Sequence, residues 1–173
     1  MLQHLQRLFK HRWFDESATR RALPPDLLDR LTQRVAASER RHSGEIRLCV
    51  EAGLPWSYLR RNAPMPQIVR ARAVMMFSKL RVWDTAQNNG VLIYLLLAEH
   101  AIELVADRGL NDKVPPAQWQ AMVDRMREAF RAGRFEDGLT QALEEVSALL
   151  VQHFPLAPGA PDTNELPDAP HVM

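Results

Sequence analysis

The sequence predicts an α/β fold: a three-layer α/β/α sandwich on a small mixed β-sheet. Three observations carry this. Glu45 to Ala52, EIRLCVEA, alternates apolar and polar residues with period two, the pattern of a strand. Val91 to Ala98 is an unbroken apolar run, as expected of a central strand covered on both faces. Around these, proline-opened segments repeat apolar residues at spacings of three and four, which supplies helices for both faces.

Taken in order, Leu2, Leu5, Phe9 and Trp13 share a face and predict a short amphipathic helix over residues 1–13. Pro24-Pro25-Asp26 opens a second helix with Leu27, Leu28, Leu31 and Val35 as its buried stripe, and Gly44 suits its exit. The first strand, Glu45 to Ala52, follows. Gly53 to Pro66 holds three prolines and two aromatics and reads as a loop. A third helix begins at Ile68, with Val69, Ala73, Met76, Leu80 and Trp83 facing the core. Gly90 to Leu97 is the second strand. Ala98 to Ala101 is a tight turn, and Ile102, Leu104 and Ala106 mark a third strand that closes an antiparallel hairpin. The helix between the first two strands makes them parallel. Pro115-Pro116 starts a fourth helix through Trp119, Met122, Val123, Met126 and Phe130. Gly133 breaks it, and a fifth carries Phe135, Leu139, Leu143, Val146, Leu150 and Phe154. The expected organisation is an N-terminal helix and linker over 1–23, one domain over 24–154, and a proline-rich tail over 155–173 without a core of its own.

Charge and composition exclude several functions. The 173 residues carry a net charge of +1, which gives no reason to expect nucleic acid as a partner. The charge is uneven, with a basic N-terminal third and an acidic C-terminal end, so an acidic or membrane-surface partner of the N-terminus is one expectation beside two solvated faces. The longest apolar run is far shorter than the ~20 residues that cross a bilayer in a helix. No signal-peptide pattern precedes it, so the chain is expected to be cytoplasmic and not itself transmembrane. Cys49 has no second cysteine to bridge to and reads as a small buried hydrophobe.

Standard catalytic patterns are missing. Pro55 stands where a cysteine-phosphatase loop needs arginine, the glycines form neither a P-loop nor a dinucleotide fingerprint, and no histidine pair has zinc spacing. His42 and His100 are expected to be solvent-facing turn residues, and His4 and His11 to decorate a surface.

Topology still localises a candidate site. With the first two strands parallel and the third returning, one sheet edge gathers Glu45, Asp84, Asn88, Asn89, Asp107 and Asp112. Clustered oxygens suit calcium or magnesium, and Arg108 beside them can hold an anion. The same Asn-Asn-Gly and Asp-Arg-Gly are also ordinary strand-end punctuation. Glu45, Arg47 and Glu103, charges within strand patterns, are expected to pair across an exposed or partly covered sheet face.

Several motifs together resemble a known family. They are Ser43-Gly44-Glu45-Ile46, Asn88-Asn89-Gly90-Val91-Leu92, Asp107-Arg108-Gly109-Leu110, and Phe130-Arg131-Ala132-Gly133-Arg134-Phe135-Glu136-Asp137-Gly138. Over roughly residues 24–153 the chain resembles the TPM domain family. The resemblance implies an α/β/α sandwich. It also implies an unsettled role, since some members are described as acid phosphatases, some bind calcium, and others are accessory factors of membrane complexes. Many relatives carry Asp-Asn-Gly where this chain has Asn88-Asn89-Gly90, which removes a carboxylate from any cation site. Many also carry a signal peptide and a transmembrane segment, and the lack of both patterns here resembles a soluble bacterial subgroup. The expected function is that of an accessory protein working through a protein partner, a membrane-anchored one among the candidates, with Ca2+ or Mg2+ at the strand-edge cluster. The alternative is a metal-dependent acid phosphatase acting on phosphate monoesters, the metal polarising phosphate and activating water.

Overall fold

A computed structural model describes His11, residues 16–157 and residues 164–173. Two parallel central strands set the frame. β1 (Ile46–Glu51) pairs in register with β2 (Val91–Leu96), from Ile46 opposite Val91 to Glu51 opposite Leu96. β3 (Ala101–Ala106) returns antiparallel along β2. All six residues of β1 and of β2 are buried, so both strands are covered above and below.

Alternation along β2 divides the core. Val91, Ile93 and Leu95 join a cluster with α1 (Glu16–Ala22), α2 (Pro25–Glu39), α5 (Pro116–Arg131) and α6 (Phe135–His153). Leu92, Tyr94 and Leu96 join a second cluster with α3 (Trp56–Leu59) and α4 (Met65–Lys79). Helices on both faces of a mixed four-stranded sheet make the α/β/α sandwich. Three of the four long helices, α2, α4 and α5, place a proline (Pro25, Pro66 and Pro116) in the first turn, where its missing N–H costs nothing.

Some elements differ from expectation. The predicted helix over 1–13 lies outside the described residues, apart from His11. That histidine is buried rather than on a surface: Nδ1 accepts from Leu54 N–H at 3.1 Å, which leaves Nε2 to donate to Glu99 Oε1 at 2.9 Å. The segment from Gly53 to Pro66 contains the short helix α3, and α4 begins at Met65, one turn earlier than its apolar stripe. The stripe also ends early. The chain leaves α4 at Lys79 and turns through a left-handed Arg81, which puts Trp83 half in solvent and buries Val82 instead.

The tail adds a strand that no periodicity announced. β4 (His171–Val172) pairs parallel with β1, and Met173 continues the ladder, its N–H reaching Val50 O and its carbonyl accepting from Ala52 N–H. The sheet order is β3-β2-β1-β4. This returning segment also explains the strand charges. Glu45 and Arg47 are buried and turn to this segment rather than to an exposed sheet face. Glu45 accepts from the backbone N–H groups of Glu165 and Leu166 at 3.1 and 3.2 Å, and Arg47 donates to the carbonyls of Pro167 and Ala169. Glu103 pairs with Arg70 of α4, also off the sheet.

Candidate functional site

The polar segments meet at one end of the sheet because the register puts them there. Glu45 O accepts from Val91 N–H at 2.8 Å, Asp107 N–H donates to Gly90 O at 2.9 Å, and Gly109 N–H donates to Asn88 O at 2.8 Å. The β1 start, the β2 start and the β3 exit therefore form one pole. Asn88 enters it with a φ of 52°, a left-handed conformation that asparagine tolerates better than most residues. Gly90 is required by contact: a Cβ there would lie 2.0 Å from the Val82 carbonyl oxygen.

The side chains sort into two groups. On one side, Asn89 Nδ2 donates to Ser43 O at 3.0 Å, Ser43 Oγ donates to Gln87 Oε1 at 3.1 Å, and Glu45 is committed to the returning tail. On the other, Asp107 Oδ1 accepts from Arg108 N–H at 2.7 Å, Arg108 Nε donates to Asn88 Oδ1 at 3.0 Å, and Asp84 pairs with Arg81. Asp112 is exposed in the turn that follows. Strand alternation separates Asn89, on the face of Val91, from Asp107, on the face of Val105; Glu45 shares the Asp107 face and is drawn away by the returning tail.

Two acceptors are left over. Asn89 Oδ1 and Asp107 Oδ2 are buried and have no hydrogen-bond partner among the described residues. A buried acceptor without a donor is costly and points to a missing partner, whether water or an ion. Among the described residues, no group of three or more His, Cys, Asp or Glu side chains is arranged to hold a metal ion. The donors fit a hard cation in one limited sense. Asp107 Oδ2 is free, Asp112 is exposed, and Asp84 and Asn88 are engaged by arginines whose surface contacts are weak.

Other polar groups were not legible as a unit. Glu51, at the end of β1, is gripped by Arg72 of α4, with Nε to Oε2 at 2.8 Å and Nη2 to Oε1 at 2.5 Å, and accepts the Tyr94 hydroxyl at 2.6 Å. Burial, then the Glu51 carboxylate, raises the Tyr94 phenol above its ordinary range. Beside it, burial pushes the Cys49 thiol up to about 12, as an inert buried thiol. A signal existed: Arg72 interrupts the stripe of Val69, Ala73 and Met76, and Glu51 shares strand parity with Cys49. Two charges facing one core must find each other. His42 is fully buried rather than solvent-facing. Its Nδ1–H donates to Gly44 O at 2.9 Å, and burial lowers it to about 4. His100 takes the left-handed position of the hairpin turn, edge-on to Phe135.

The TPM domain family model matches residues 18–149. The chain belongs to this family. The TPM fold recurs in the NMR structure of the BA42 protein of the psychrophilic bacterium Bizionia argentinensis, which is 26% identical, with a TM-score of 0.71 over 87% of this chain and 95% of that one. The N-terminal domain of a P. gingivalis protein, solved by solution NMR, is 20% identical, with a TM-score of 0.48 over 72% of this chain and 76% of that one. None of the curated proteins matches it. No helix of this TPM domain is long and apolar enough, among the described residues, to cross a membrane.

Proposed function

We propose that this TPM domain acts by binding: an accessory domain that takes a divalent cation at the sheet pole and presents its surface to a protein partner. The observation that supports the cation is Asp107 Oδ2, a buried carboxylate oxygen with no donor among the described residues. Asp107 would anchor the ion, with Asp84 and Asn88 from the loop before β2 and Asp112 from the turn after β3 as further oxygen donors. When bound, the ion supplies charge neutralisation that ties these two loops together. This chain's residues do the rest. Arg81 and Arg108 now neutralise Asp84 and cover Asn88, and their exposed side chains can swing away at little cost. The segment carrying Trp56, the larger part of that side chain in solvent, is a candidate surface for the partner.

Calorimetric titration of calcium and magnesium into the chain tests the cation. Saturable binding that weakens about tenfold or more in Asp107→Ala is expected. No binding at roughly millimolar metal removes the reading. Asp112→Ala gives a smaller loss, because an exposed donor is replaceable by water.

A further inference from the structure

β3 is an edge strand. Its pairing with β2 fixes which of its backbone groups point outward. Asp107 N–H bonds Gly90 O, so the hydrogen-bonded pairs run Leu92 with Val105, Tyr94 with Glu103 and Leu96 with Ala101. Ile102, Leu104 and Ala106 therefore turn their N–H and C=O groups away from the sheet. Of these, the Leu104 carbonyl accepts from Arg70 Nη1 at 2.6 Å. The backbones of Ile102 and Ala106 bond to no other element among the described residues.

The Glu103–Ala106 part of the edge lies in a groove of about 480 Å³, while Ile102 is buried beyond its end. Its two walls differ. On the α5 side, Leu104, Ala106, Trp119 and Val123 are apolar; on the α4 side stand Arg70 and Glu103. Arg70 is half exposed and its Nη1 spans the Leu104 carbonyl and Glu103 Oε2 at 3.3 Å. Arg127 of α5 pairs with Asp124 at 2.7 Å, so among the described residues Arg70 is the cation that lines the groove.

We propose that the β3 edge is a docking site for an extended peptide segment of a protein partner, one that alternates apolar and acidic residues. The backbone carries the recognition. A strand laid along β3 gives its N–H groups to the outward carbonyls and takes the outward N–H groups in return. The walls set the sequence, because successive side chains of a strand point to opposite sides. Apolar residues meet Trp119 and Val123, and acidic ones meet Arg70. The two events are linked: a peptide N–H that takes the Leu104 carbonyl releases the guanidinium, and a peptide carboxylate then accepts from it. A lone arginine on one carbonyl also blunts the edge against unspecific pairing, so the site favours segments that can replace that contact.

The test uses capped, fluorescent peptides alternating valine with glutamate, their lysine counterparts, and glutamate peptides N-methylated at every second residue. Expected results are saturable binding of the glutamate peptide, about tenfold weaker binding after N-methylation in the edge-facing frame, and protection of the Leu104 and Ala106 amides from hydrogen exchange. Arg70→Glu reverses the glutamate-over-lysine preference. Ala106→Pro removes an outward donor without breaking the bonds to β2 and weakens binding; if this variant fails to fold, the N-methylated peptides make the same test on the unaltered chain. No binding by any peptide at roughly millimolar concentration overturns the proposal, as does binding indifferent to N-methylation. Sedimentation showing a dimer that Ala106→Pro dissolves also overturns it, because the edge then belongs to a second copy.

Discussion

Arg72 holds Glu51 by two hydrogen bonds inside the α4-side core, and the Tyr94 hydroxyl completes the carboxylate's partners at 2.6 Å. The side chains are 10% and 5% exposed, which makes this a buried ion pair rather than a surface one. It links β1, β2 and α4 across the layer that the crossover helix covers.

Breaking the pair from one side should therefore cost far more than removing both charges. Glu51→Leu leaves a buried guanidinium and Arg72→Met a buried carboxylate, each expected to destabilise by about 3–5 kcal/mol. The double variant should cost clearly less than the sum of the singles. Urea denaturation of the four proteins measures this, and additive losses would contradict the coupling.

His42 gives the fold an acid-side weakness. Its folded value of about 4 lies below the ordinary 6.5, so the native imidazole stays neutral where the unfolded one already binds a proton. The unfolded state then holds more protons between pH 6.5 and about 4, and stability falls as pH falls through that window, by roughly 3 kcal/mol when complete. Above 6.5 both states are neutral and the effect vanishes. His42→Gln should flatten this part of the stability-versus-pH curve, read by thermal melts across the window.

The entry of β2 tolerates no side chain at position 90. A Cβ there would meet the Val82 backbone oxygen at 2.0 Å, and backbone cannot step aside as a flexible side chain can. Gly90→Ala should destabilise by about 2 kcal/mol or more, as overpacking does. The same change at Gly133 meets no neighbour and is strained only by its φ of 72°, so a smaller loss of about 1 kcal/mol is expected. Paired melting curves decide between a contact effect and a conformational one.

Residues 164–173 should matter more than their composition suggests. Deleting them removes β4, bares the edge of β1, and strips Glu45 and Arg47 of their backbone partners. Losing these charge-assisted bonds together with the β1–β4 pairing is expected to cost several kcal/mol. Glu45→Gln combined with Arg47→Met should recover part of the stability of the truncated chain, and no recovery would show that the strand pairing itself dominates.

The sequence by itself determined the fold: the period of EIRLCVEA, the unbroken run from Val91, the proline-opened stripes and the hairpin at Ala98–Ala101 each resolve into the expected layer, because apolar periodicity is a local property read along one chain. It also placed Asn88, Asn89, Asp107 and Glu45 at one pole, since topology alone fixes strand ends. Only the tertiary structure decided what their side chains do. Glu45 turns to a tail segment 120 residues away, Glu51 finds Arg72, and His42 disappears into the core. These are pairings between distant residues, chosen by which buried polar group lies within hydrogen-bond reach, and a pattern of residues along a chain carries no such distances.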